Sequence, residues 1–534
     1  MHSSPLFFLC FACFVVSRAQ SAIFSSPLVH RFSDEARVAA AVASGRVAGR
    51  WPARRSPEYY KVLKRSDRLR QRRRLGGAKY SLLYPAEGSE TLSPGNDFGW
   101  LHYTWIDIGT PNVSFLVALD AGSDLFWVPC DCIQCAPLSG YHGSLDRDLG
   151  MYNPDESKTS KHLPCSHELC TLGGSCKNSK QPCPYTVNYY SENTSTSGLL
   201  IEDTMYLVKY DDNVSIQAPV IIGCGRKQSG GYLDGMAPDG LLGLGLGEVS
   251  VPSILARAGL VPNSFSMCFR GDDSGRIFFG DQGVSTQSTT PFVAQDGKYI
   301  TYIIGVDNFC VGTRCLGKTN FQALVDSGSS FTFLPDEIYK RVTMEFDKQI
   351  NASRLDYKDS PWEYCYTAKL VDSLEMPRVP AISLTLSGNK SFEVTNPTFS
   401  VYNKEEDELA GFCIALQSSE ESIGTIGQNF MTGYHMVFDR ENLKLGWSRS
   451  NCNIPGSSTR VPLTSPPHSR TANQQPTNQQ HSSPKPDGRE VKPAIAGRAP
   501  TVASKASPSG CRWFFPLFLL LSQLLIFSCT VYIC

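Results

Sequence analysis

The 534-residue sequence lacks several things, and each absence narrows its function. It has no net charge, with 50 Lys and Arg against 50 Asp and Glu, so attraction to a polyanion can come only from a local block of charge. It has no His at ligand spacing beside the cluster Cys130-x-Cys132-x-x-Cys135, which argues against half of a zinc site there. No metal or organic cofactor is implied elsewhere. Residues 453–510 have almost no large apolar side chain, too little to offset the entropy of ordering, so this Pro, Ser, Thr, Gln and Asn-rich stretch reads as a flexible stalk. No Lys or Arg follows the apolar run Trp513 to Cys534, where a membrane-spanning helix would keep its cytoplasmic anchor.

What is present points to an all-β enzyme. Apolar residues make up 41%, with 22 Tyr, 28 Phe and 7 Trp to fill a core, while 44 Gly and 34 Pro favour many short strands and turns. Residues 1–19 read as a signal peptide, an apolar run from Leu6 to Val16 with the small-residue exit Ser17-Arg18-Ala19. Secretion makes a nuclear or cytosolic role unfavoured, and it also decides the cysteines. Setting aside Cys10, Cys13, Cys511, Cys529 and Cys534, fourteen of nineteen lie between Cys130 and Cys452. An even number in an oxidising compartment implies up to seven disulfides. Five Asn-x-Ser sequons, at Asn112, Asn193, Asn213, Asn351 and Asn389, are candidate glycosylation sites.

The segments follow in order. Residues 20–97 read as a basic pro-segment, because Arg31 to Lys79 holds fifteen Lys or Arg against four Asp or Glu. It contains Arg72-Arg73-Arg74-Leu75-Gly76-Gly77, which reads as a site for proteolytic nicking. From Phe98 to Cys452 short β-rich runs alternate with Gly, Pro, Asn and Asp, and this body is divided into 98–295 and 296–452. Residues 511–534 read as a cleaved glycolipid-anchor signal, with Ala503, Ser504, Ala506, Ser507, Ser509 and Gly510 as attachment sites. A retained spanning helix is the other reading of that tail. Nucleic-acid binding through the basic block fails on secretion and on removal of the block.

One short pattern occurs twice in the body, as Ala118-Leu119-Asp120-Ala121-Gly122-Ser123 and as Leu324-Val325-Asp326-Ser327-Gly328-Ser329. Each Asp follows an apolar strand and precedes a Gly that permits a tight turn. A second element follows in each half, Gly240-Leu241-Leu242-Gly243-Leu244-Gly245 and Thr425-Ile426-Gly427-Gln428-Asn429-Phe430. One Asp-x-Gly is a surface turn; two copies in matched contexts predict two related lobes that bring Asp120 and Asp326 together in a cleft. Two close carboxyls do not both ionise, so one stays protonated while the other serves as base. That pair can hydrolyse a peptide bond through an activated water, and it titrates as a unit.

Over Phe98 to Cys452 the sequence resembles the pepsin-like aspartic proteases. Asp120-Ala121-Gly122-Ser123-Asp124-Leu125-Phe126-Trp127-Val128-Pro129 is similar to the family's first catalytic segment and Asp326-Ser327-Gly328-Ser329-Ser330 to its second. The resemblance implies a bilobal all-β fold with a few short helices, Asp120 and Asp326 as the catalytic pair, and Ser123 and Ser327 in support. It also implies a β-hairpin flap whose Tyr bonds Trp127. The stretch from Tyr190 to Gly198 looks like that flap, so Tyr190 is the expected residue, with Tyr189 its near competitor. The cysteine-rich insertion Cys130 to Cys183, the following Pro184-Tyr185 and Leu28-Val29-His30-Arg31 resemble the plant nepenthesin-like branch, without a saposin-like insertion. By the same resemblance Cys365 and Cys413 pair.

The resemblance implies a monomer that is secreted as a zymogen, acts on proteins or peptides and, given the anchor signal, is held at the outer face of the plasma membrane. A basic residue of the pro-segment lies across the carboxylates at neutral pH in one reading; in the other, the segment is a solvated helix that assists folding. Two departures stand out. Ala121 replaces the Thr or Ser usual in the family, and Glu192 and Asn193 stand where flap glycines are common, so a glycan on Asn193 would crowd the cleft. These departures keep a second class of function in view, a catalytically weak pepsin fold that binds or inhibits other proteins at the cell surface.

Overall fold

The computed structural model describes residues 81–452 apart from 94–100, 139–148, 173–175, 192, 272, 356–361, 369–377, 396, 403–408 and 451. The chain divides into two units at Lys79 and Tyr80, and every described residue belongs to the second. The segments read from the sequence as signal peptide, stalk and anchor signal, and most of the one read as pro-segment, therefore lie outside the described residues. Among the described residues no helix is long and apolar enough to cross a membrane.

Among the described residues strands dominate, gathered in sheets of fifteen, seven and three strands, with α-helices at Val251–Arg257, Asp336–Gln349 and Gln428–Met431. The repeated sequence element is repeated in topology. In the first half Val113–Asp120 runs antiparallel to Tyr103–Ile108 and parallel to Leu241–Gly243, with Gly243 opposite Asp120. In the second half Arg314–Val325 runs antiparallel to Ile303–Val311 and parallel to Ile423–Ile426, with Ile426 opposite Val325. The strand after each Asp completes the unit. Phe126–Gln134 meets Leu241 antiparallel at Trp127 and runs parallel to Ser215–Ser229; Thr332–Pro335 meets Thr425 antiparallel at Phe333 and runs parallel to Leu416–Ser419.

The glycines of the second element have a steric reason. A Cβ on Gly243 would lie 2.3 Å from the carbonyl carbon of Asp124, and one on Gly427 would lie 2.3 Å from the Phe331 carbonyl oxygen. In each half the segment beside the strand that ends at the Asp passes close to the loop that follows it, and only a residue without a side chain fits.

Burial explains why the strand into Asp120 reads as a solid apolar run. Phe115 to Asp120 is buried at every position, as expected of a strand covered on both faces. The long hairpin strand Ser195–Lys209, by contrast, alternates over Asp203 to Val208, with Met205 and Leu207 buried and Thr204, Tyr206 and Val208 partly exposed.

Sheet pairing crosses two boundaries drawn from the sequence. Leu83–Pro85 and Glu90–Leu92, assigned to the pro-segment, are strands of the large sheet, paired with Ser195–Lys209 and Ser274–Phe279. Three-residue strands amid Gly, Pro and Glu carry too little alternation to be read. The division at 295/296 is not a division between sheets either. Tyr434–Asp439 and Lys444–Arg449 return to the large sheet, where the first pairs with Ser264–Phe269. Phe265 stacks on Phe438 at 4.6 Å, and Tyr302 lies 4.9 Å from Phe438, so one aromatic group joins strands from both halves.

All fourteen body cysteines are paired: Cys130–Cys224, Cys132–Cys135, Cys165–Cys176, Cys170–Cys183, Cys268–Cys452, Cys310–Cys315 and Cys365–Cys413. The Cys365–Cys413 bridge is the pair implied by resemblance, and Cys132 of the Cys130-x-Cys132-x-x-Cys135 cluster is bonded to Cys135. The five sequon asparagines are all exposed.

Candidate active site

Asp120 and Asp326 stand at the ends of equivalent strands and are both wholly buried. Their surroundings repeat atom for atom. Gly122 N donates to Asp120 Oδ1 at 2.8 Å, and Gly328 N donates to Asp326 Oδ1 at 2.7 Å. Ser123 Oγ donates to Asp120 Oδ2, and Ser329 Oγ donates to Asp326 Oδ2 at 2.7 Å. The two carboxyls also act directly on each other's ionisation. Sequence reasoning brought these two groups together, and the structure places them so; it named Ser123 but omitted Ser329, although the repeat aligns the two serines.

Burial pushes both carboxyls above the usual range, and the charge of Asp326 pushes Asp120 further. The four hydroxyl and backbone donors oppose that shift by favouring the ionised form. The balance suits a pair that keeps one proton between its members while remaining able to carry a single negative charge.

The halves differ in how they hold each other. Ser327 Oγ accepts from Ala121 N at 2.9 Å and donates to Leu119 O at 2.8 Å, so this hydroxyl ties the second turn to the first. Ala121, buried at the corresponding position, has no hydroxyl to return the contact. Other ties were not legible in the sequence. Gln428 Nε2 donates to Ser327 O. Tyr302, far along the chain, donates to Leu244 O at 2.6 Å, and Leu244 N donates to Asp120 O at 2.8 Å.

The hairpin over the site brings one correction. Trp127 Nε1 donates to the hydroxyl of Tyr189 at 3.0 Å, not to that of Tyr190. Side chains alternate along a strand, so Tyr185, Val187 and Tyr189 share the buried face while Asn188 and Tyr190 point away, Tyr190 being 43% exposed. Tyr232 packs edge-on at 4.9 Å from Trp127 and 5.0 Å from Tyr189, completing an aromatic group that sequence reasoning missed. Burial and the nearby charge of Asp120 raise the Tyr189 phenol, which stays protonated. Partial burial, Glu421 and Asp326 raise that of Tyr190. The turn is pinned as well, with Tyr189 N bonded to Thr194 O at 2.9 Å and Gly231 N to Thr194 Oγ1 at 3.0 Å.

A two-lobed β fold with twinned, buried, mutually interacting aspartates defines a class, and comparison with known proteins agrees with it. A family model described as "Xylanase inhibitor N-terminal" matches residues 102–281 and another described as "Xylanase inhibitor C-terminal" matches residues 302–449. "Aspartic proteinase-like protein 1" of Arabidopsis thaliana is 50% identical over 516 residues, covering 95% of each chain. "Aspartyl protease family protein 1" of the same plant is 42% identical, covering 81% of this chain and 82% of the other. Nepenthesin-2 of Nepenthes gracilis is 27% identical over 74% of this chain and 86% of its own. Among solved structures, basic 7S globulin from soybean shares the fold with a TM-score of 0.53 at 16% identity, covering 70% of this chain and 96% of the other. The chain belongs to the plant pepsin-like aspartic protease family.

Proposed function

We propose that the protein is an aspartic endopeptidase in which Asp120 and Asp326 act as one acid–base pair. One carboxylate takes a proton from a water as that water attacks the scissile carbonyl. The other, protonated, donates to the carbonyl oxygen, and collapse of the resulting diol passes a proton to the departing amine. No acyl-enzyme forms. The observation that carries this reading is the twofold repetition of donors around two buried carboxyls that act on each other's ionisation. The hairpin with Tyr189 closes over the substrate, and the rigid Trp127–Tyr189–Tyr232 group sets its height.

The protein is made as a zymogen behind the basic segment, secreted, and held at the outer face of the cell by a glycolipid. Seven disulfides and five exposed sequons support passage through the secretory route. Release from intact cells by a phospholipase that cleaves glycolipid anchors tests the attachment; a retained helix would resist it.

The second reading, a pepsin fold that binds rather than cleaves, draws on one observation: Ser327 braces the turns from one side only, because Ala121 cannot reciprocate. Family resemblance to proteins described as xylanase inhibitors gives that reading its partner class, another secreted hydrolase. Acidified full-length protein incubated with a peptide library separates the two. Cleavage abolished by Asp120→Asn and by Asp326→Asn supports the peptidase; folded, processed protein that cleaves nothing at any pH supports the binder.

A further inference from the structure

Two disulfides of the first half sit against each other. Cys165 is bonded to Cys176 and Cys170 to Cys183, yet the sulfurs of Cys170 and Cys176 lie only 4.0 Å apart. The Sγ atoms of Cys165, Cys170 and Cys176 all fall within 4.8 Å of one another. Accessibility grades across the set: Cys176 is exposed, Cys165 and Cys170 are half-buried, and Cys183 is fully buried. One end of this line of sulfur meets solvent and the other lies in the protein interior.

The buried end is the base of the active-site hairpin. Cys183 directly precedes the strand Pro184–Asn188. Its N–H donates to Leu163 O at 2.7 Å, its carbonyl accepts from Leu200 N at 2.8 Å, and it shares an apolar cluster with Tyr185, Tyr189 and Trp127. Its bond to Cys170 links the hairpin covalently to the cysteine-rich insertion.

We propose that the Cys165–Cys176 disulfide is a modification site for a low-molecular-mass thiol, and that its opening is relayed through Cys170 to free Cys183. The incoming thiolate attacks Cys165 Sγ, forms a mixed disulfide and expels Cys176 as a thiolate. Cys176, already 4.0 Å from Cys170 Sγ, attacks that sulfur. The Cys170–Cys176 bond forms as the Cys170–Cys183 bond breaks, and the proton brought by the thiol ends on Cys183. Two protein disulfides and one thiol become one protein disulfide, one mixed disulfide and one protein thiol, so no oxidant is required. Apolar burial keeps a thiol protonated, and a protonated Cys183 is a poor nucleophile for the return step. The product keeps the surface crosslinked but unties the hairpin at its base.

The test uses the full-length secreted protein and reduced glutathione, quenched in acid, unfolded, alkylated and mapped by mass spectrometry. The expected product carries glutathione on Cys165, a new Cys170–Cys176 bridge and alkylated Cys183, while Cys130–Cys224 and Cys365–Cys413 remain intact. Hydrogen exchange across Pro184–Asn188 accelerates in the same sample. Opening of Cys165–Cys176 with Cys170–Cys183 intact overturns the relay, as does alkylation of Cys183 only when Cys170 is alkylated too. A Cys165–Cys170 bridge overturns the assignment of Cys176 as the attacking sulfur. In the double variant Cys165→Ala, Cys176→Ala, labelling of Cys183 falls at least tenfold at the same glutathione concentration; unchanged labelling overturns the proposal. These readouts involve no substrate, so failure here leaves the peptidase reading standing, and absence of cleavage leaves the sulfur chemistry standing.

Discussion

The turn Asp120-Ala121-Gly122-Ser123 and the turn Asp326-Ser327-Gly328-Ser329 hold their carboxyls alike with different support. Each gives its carboxylate one backbone donor and one serine hydroxyl. Only the second reaches across, through Ser327 Oγ bonded to Ala121 N and Leu119 O. The groups that hold the proton are duplicated, whereas the groups that fix the distance between the halves need not be. What the first turn lacks is offset in part by a tie from elsewhere, Tyr302 of the second half donating to Leu244 O of the first.

The comparison can be broken most severely at the carboxylates. Asp120→Asn or Asp326→Asn is expected to lower kcat by about 10²- to 10⁴-fold, to a similar residual rate for both, measured on a purified processed sample; a large difference between them would show that the halves are not equivalent. Ser327→Ala strips the crossing hydroxyl, and losing a donor and an acceptor there costs about 1–3 kcal/mol, read as a lower denaturant midpoint together with a lower kcat. Ala121→Ser sharpens the contrast from the other side. A hydroxyl there restores the missing half of the brace and raises stability by about 1 kcal/mol or less, provided the buried site admits the extra atom.

The hairpin offers a smaller test of the same kind. Tyr189→Phe leaves the buried Trp127 N–H without its acceptor, at a cost of about 1–3 kcal/mol, whereas Tyr190→Phe leaves thermal stability nearly unchanged because its side chain is half exposed. Equal effects of the two changes would contradict the assignment.

A third contrast depends on pH. Asp239 is bonded to the strand that ends in Asp120, accepting from Leu116 N at 2.7 Å, and to Gly150 N at 3.2 Å, and burial pushes its carboxyl up to about 7. A carboxyl raised on folding is held protonated in the native protein while the unfolded chain ionises, so native stability falls as pH rises from about 4 to about 7, by at most about 1.4 kcal/mol per pH unit. Asp239→Asn removes that slope. Relative to the variant, the wild type therefore loses stability on going from acid to neutral pH, checked by urea unfolding at both ends of the range.

Much of this was legible in the chain because it is local. The all-β class, the paired Asp turns and the neighbouring Gly segments are short patterns, and Gly243 and Gly427 show why the latter recur: backbone passes too close for a side chain. Tyr189 was legible too, through the alternation Tyr185, Val187, Tyr189, which outweighs the flap-like run beginning at Tyr190. Ser329 was legible in the repeat. The return of Tyr434–Arg449 to the large sheet and the reach of Tyr302 to Leu244 were not, since pairing between distant segments leaves no mark in either one. The strands at Leu83 and Glu90 are too short to announce themselves.

The central claim, that two buried carboxyls work as one pair sharing a proton, is tested most directly by the pH dependence of kcat/KM for a peptide substrate. The account predicts a bell whose two limbs belong to the pair, with the alkaline limb displaced above the ordinary carboxylate range by burial and mutual repulsion, and no comparable bell in Asp120→Asn or Asp326→Asn. A rate governed by a single ionisation, or a bell that survives either substitution, would contradict it.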